Sequence, residues 1–64
     1  METLNKIKDL VEKMSMDTQK VYSKGNRSAS IRARKYAQEV KLLIGTYRKE
    51  ILDEMKRHEK IEEK

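Results

Sequence analysis

The sequence predicts an all-α fold: an antiparallel two-helix hairpin with a longer second helix, paired with a second copy into a dimeric four-helix arrangement. Three observations carry this. The 64 residues hold no Pro, two Gly and 42% charged residues, a composition that favours helix over strand. Apolar residues recur three and four apart over two separate stretches. Between the stretches lies Gly25-Asn26, a helix-ending glycine followed by a helix-capping residue. The chain reads as one domain, residues 1–64, with helices over about 3–23 and 28–60 and a turn at about 24–27.

The first helix carries Leu4, Ile7, Val11, Met14, Thr18 and Val21 as a heptad seam, widened by Leu10 and Tyr22. Thr3 is placed to cap its start. Gly25 follows its end, where a positive φ is needed. The second helix starts at Asn26 or Ser28, either of which can cap it. Its seam is Ala33, Ala37, Val40, Ile44, Tyr47, Ile51 and Met55, with Tyr36 and Leu43 on one shoulder. Small residues near the turn predict that the helices approach most closely there.

At 1.5 Å per residue the second helix is about 50 Å long and the first about 30 Å. Ile51, Leu52, Met55 and Ile61 therefore reach toward or past the end of the first helix. A 64-residue hairpin buries too little to be comfortable alone, so the sequence predicts a coiled-coil-like homodimer through Ile44, Tyr47, Ile51 and Met55.

Several function classes are disfavoured. Without cysteine there is no disulfide or thiolate metal site, and His58, the single histidine, does not make a zinc site alone. Ser28 and Ser30 lie near one another, but His58 is about 42 Å from Ser30 along a helix, too far for a nucleophile–base pair within one chain. Gly25 is one glycine in a turn, not a phosphate-binding loop. No catalytic residue, metal, cofactor or small-molecule substrate is predicted. The apolar runs are too short to span a membrane and no leader pattern opens the chain, which predicts a cytosolic protein.

The charge distribution is the informative feature. The chain carries +5 overall, but Thr18–Lys49 holds nine cations against the single acid Glu39, a local +8 that leaves −3 for the remainder. Arg27, Arg34, Lys41 and Arg48 are spaced by seven and form one stripe beside the second seam. No acid lies three or four residues from any of them. Lys35 and Lys49 differ, having Glu39 and Asp53 four residues on. Lys6, Lys13 and Lys20 on the first helix are also spaced by seven, with Glu2, Asp9 and Asp17 within reach.

The second helix opens on Arg27, Arg32, Arg34 and Lys35 with no acid, the wrong sign for its own macrodipole. That arrangement suits an arriving anion: free amides at a helix N-terminus attract phosphate, and three of the four stripe residues are Arg, whose planar fork matches it. The blander account is that these side chains only drape over the edge of the core. The whole group favours a polyanion site, with Lys24, Arg27, Arg32, Arg34, Lys35, Lys41, Arg48 and Lys49 as the nucleic-acid-binding set.

Gly25-Asn26-Arg27-Ser28-Ala29, Arg32-Ala33-Arg34-Lys35 and Tyr47-Arg48-Lys49-Glu50 carry a further signal. With the first amphipathic helix they resemble the small bacterial linker-histone-like family, of which the chlamydial histone-like protein is the familiar member. The resemblance extends to about Lys56. It implies a helical, nucleoid-associated protein that binds duplex DNA with little sequence preference and organises the chromosome. The family's basic blocks fall on Arg32, Arg34 and Lys35 and on Arg48 and Lys49. One departure speaks against strong condensation: the chlamydial form continues into a long Lys/Ala-rich tail, whereas here Glu59-Lys60-Ile61-Glu62-Glu63 is acidic. Two alternatives stay open. Tyr22, Tyr36 and Tyr47 could stack on bases of RNA or a single strand. A basic helical hairpin could equally dock an acidic protein partner.

Overall fold

A computed structural model of the chain describes the backbone of residues 1–62 and the side chains through Glu59. The apolar position Ile61 and the acidic side chains of Glu62 and Glu63 lie outside those described side chains. Two helices, α1 (Glu2–Lys24) and α2 (Arg27–Glu62), pack antiparallel, and among the described residues there is no strand. The molecule is a rod of 59 × 15 × 14 Å.

Helix α1 begins one residue before Thr3, so that side chain lies within the first turn and does not cap it. Met1 stands at the N-cap without a side-chain hydrogen bond, and Glu2 supplies a first-turn acid. At the other end Gly25 takes φ 61° and ψ 35°, the left-handed region that a side chain resists. Its N–H donates to Val21 O at 2.8 Å, and the Asn26 N–H reaches Lys20 O at 3.4 Å, closing the last turn of α1. Asn26 then opens α2: its Oδ1 accepts the Ala29 N–H at 3.0 Å and its carbonyl accepts the Ser30 N–H at 3.1 Å.

The seam differs from the expected one by one residue per heptad. On α1 the residues turned toward α2 are Leu4, Ile7, Leu10, Met14, Asp17 and Val21; on α2 they are Ala29, Ala33, Tyr36, Val40, Leu43 and Tyr47. Val11, Thr18, Ala37 and Ile44 face out instead, and Tyr22, expected to widen the core, is 86% exposed. The reason is bulk. Both readings share Leu4, Ile7, Met14, Val21, Ala33, Val40 and Tyr47. Leu43 and Ile44 are equal in volume, but Leu10 and Tyr36 bring more apolar volume between the helices than Val11 and Ala37. Ala29 is wholly buried beside the turn, where a small side chain lets the helices approach.

The core is thin. Leu10 and Ala29 are the buried apolar residues among those described, and Ile51 to Glu59 are all exposed. Met1 shares a shallow groove with Glu50, Ile51 and Glu54, so the last turns of α2 extend beyond the start of α1.

Candidate nucleic-acid interface

The hinge and the outer side of α2 assemble the candidate site. No acid stands in the first turn of α2. Asn26 satisfies the Ala29 amide, while the N–H groups of Arg27 and Ser28 stand ahead of any intrahelical acceptor on two exposed residues. Lys24 closes α1 on the near side of the same turn.

From there the stripe runs along α2. Arg27, Arg34, Lys41 and Arg48 are all exposed, and among the described residues none has a carboxylate within 4.0 Å. Their 21-residue span is about 32 Å of helix. Among the described residues Lys35 and Lys49 also have no ion pair: the reach to Glu39 and Asp53 that their spacing allows is not used. Helix α1 contrasts with this, since Lys6 pairs with Glu2 at 3.6 Å and Lys13 with Asp9 at 3.3 Å.

Arg32 is engaged elsewhere. Its Nε and Nη2 donate to Asp17 Oδ2 and Oδ1 at 3.3 and 3.1 Å, the one ion pair that joins the two helices among the described residues. Asp17 is only 6% exposed, held in the seam between Met14 and Val21. Hydrogen bonding to Asp17, and then the charge of that carboxylate, raise the Arg32 guanidinium above its ordinary pKa, so it stays charged throughout the working range. Arg32 is thus fixed by the hairpin, with the outer part of its side chain still open to solvent. Lys20, which the sequence gives Asp17 as a neighbour, is left without that partner.

Asp17 is the residue that reading the sequence missed, because a charge three residues from Lys20 looks like ordinary surface. A signal was present. Asp17 and Arg32 stand nearly symmetrically about Gly25-Asn26, which in a hairpin places them across from each other.

The remaining candidates are bland. Tyr36 and Tyr47 are half-buried in the seam, and Tyr36 lies 5.9 Å from Lys13 Nζ, so Tyr22 is the tyrosine left open to stacking. Glu54 draws in both Arg57 at 3.1 Å and His58 at 3.2 Å, which makes the end of α2 internally paired. Among the described residues no cluster of His, Cys, Asp or Glu could hold a metal ion, and no helix is long and apolar enough to cross a membrane.

In class, the chain is a two-helix hairpin with a cationic hinge and a row of exposed Arg and Lys along one helix. Family comparison goes further: residues 1–57 match the model of histone H1-like protein Hc1, and the chain belongs to that family. The linker-histone-like resemblance carried by the hinge and the basic blocks is therefore borne out. No curated protein and no solved structure matches the chain.

Proposed function

We propose that the protein binds duplex DNA without sequence preference, contacting the phosphate backbone, and acts as a homodimeric nucleoid-associated protein in the cytoplasm. The observation that carries this is the unpaired stripe of Arg27, Arg34, Lys41 and Arg48. Its length of about 32 Å approaches one duplex turn of about 34 Å. Membership of a histone H1-like family supports the choice of DNA among polyanions. Lys24, Lys35 and Lys49 extend the contact, and the outer edge of Arg32 adds to it at the hinge.

Phosphate contact is the economical mechanism because the stripe offers cations and no adenine-pairing amide. The function is binding rather than catalysis. A gel shift with unrelated random duplexes, repeated across a salt titration, tests it: affinity should be equal between sequences and fall steeply with salt. Sequence-selective binding, or none at low salt, would refute the reading.

Docking of an acidic helical partner is a second reading, favoured by Leu42, 72% exposed on α2 close to Lys49. A stoichiometric complex with one acidic protein, without DNA binding at low salt, would select it.

A further inference from the structure

Closing the hairpin leaves a second apolar seam uncovered. The grooves on one flank mix the exposed apolar residues Met16 and Leu42 with the charges of Lys6, Lys13 and Lys20 of α1 and Arg32 and Glu39 of α2. In an antiparallel pair the opposite flanks of both helices share one side. That side gathers Val11 from α1 with Ala37, Ile44, Ile51 and Met55 from α2, and Val11, Ile44 and Ile51 are 48%, 44% and 40% exposed.

A second copy is the occupant this surface fits. Both helices contribute to the seam and no charge interrupts it from Ala37 through Ile44 to Ile51 along its length, so it can pair with itself about a two-fold axis. The hairpin that carries it buries almost nothing else, and a core this small needs more apolar area than one copy supplies.

The rim of that seam is cationic. Arg34, Lys41 and Arg48 each stand one turn before Ala37, Ile44 and Ile51. If α2 packs antiparallel on its counterpart about Ile44, Lys41 comes beside Arg48 of the other copy, twice. If α2 packs on α1 instead, the row opposite the stripe is Lys8, Ser15 and Tyr22. No acid lies in either row between Arg34 and Met55. Both arrangements bring unpaired cations together at the edge of an apolar contact.

Resting on the phosphate-binding, dimeric reading above, we infer that self-association of the hairpin is gated by polyanions: the seam closes once phosphates neutralise the cations on its rim. The coupling is reciprocal, so pairing of two copies strengthens the hold of each on nucleic acid and makes binding along a duplex cooperative.

Sedimentation equilibrium tests this with inorganic tripolyphosphate as the probe. Without it, the dimer should be at least tenfold tighter at about 500 mM salt than at about 20 mM, since the rim charges are screened only in the former. Tripolyphosphate at constant ionic strength should tighten the low-salt dimer similarly. The triple variant Arg34→Gln, Lys41→Gln, Arg48→Gln should dimerise at low salt as tightly as the parent does at high salt, and lose both responses. Ile44→Asp, with helicity checked by circular dichroism, should be monomeric throughout. A dimer indifferent to salt, tripolyphosphate and the triple variant overturns the gating while leaving dimerisation standing. Absence of a dimer in every condition overturns the pairing itself.

Discussion

Gly25 and the Asp17–Arg32 pair hold the hairpin together at its closed end, by different physics. At Gly25 a Cβ would meet no atom within 4 Å, so any cost of a side chain there is torsional, set by φ +61°. Gly25→Val should therefore destabilise the hairpin by about 1 kcal/mol or more, read as a lower Tm in a circular dichroism melt. An unchanged Tm would mean that the turn has an alternative geometry. Asp17 is sensitive for another reason: it sits almost buried with its charge answered by one guanidinium. Asp17→Leu alone strips Arg32 of its partner and Arg32→Leu alone strands a buried carboxylate, so each should lower Tm by roughly 5 °C or more. The double change Asp17→Leu, Arg32→Leu removes both charges, places one Leu in the seam and the other at its half-open edge, and should recover most of that loss. A loss in the double variant equal to the sum of the two single losses would show that the pair contributes nothing as a pair. The guanidinium's share of this stability has the sign of a raised pKa: it is complete below the ordinary Arg value and lost only as pH rises through the shifted one.

The elements were largely legible before their packing was. Three- and four-residue spacing gives two helices because such a pattern has no other amphipathic solution, and Gly25 with Asn26 marks the break through backbone torsion and a side-chain cap. Which row of α1 meets which row of α2 was not legible to the same depth. Ile7, Met14 and Val21 belong to either seam, and the choice between Leu10 and Val11, or Tyr36 and Ala37, depends on facing volumes that no single helix reveals. Asp17 biased the reading further by looking like surface. The stripe was readable because it needs only local spacing: absence of acids three and four residues away is a property of one helix. Its role is tested by changing Arg34 and Lys41 together to Gln, which should weaken binding alike on unrelated duplexes and flatten the logarithmic salt slope by roughly two. Lys6 and Lys13, already paired with Glu2 and Asp9, form the matched control and should lose less when changed to Gln. Equal losses would reduce the stripe to a contribution to net charge.

At the scale of the whole molecule, a rod of 59 × 15 × 14 Å with a thin core and an overhanging second helix divides its apolar residues between the hairpin seam and an exposed row. The residues expected at a dimer interface separate along this line. Tyr47 is half-buried inside the hairpin, whereas Ile51 is exposed and no closer to α1 than the groove at Met1. A charge placed at each should thus fail differently. Tyr47→Asp would bury an unpaired carboxylate between α1 and α2 and should reduce helicity and Tm together with any self-association. Ile51→Asp leaves the hairpin seam from Ile7 to Val21 intact and should keep the helical spectrum of the isolated hairpin while the light-scattering mass falls to that of one chain. The two measurements must be made on the same samples at high salt, where the rim cations are screened and the parent is most associated. If Ile51→Asp retains the mass of a dimer, copies meet through some other face. If instead it unfolds as readily as Tyr47→Asp, then the hairpin has no stable existence apart from its partner, and folding and assembly are one reaction.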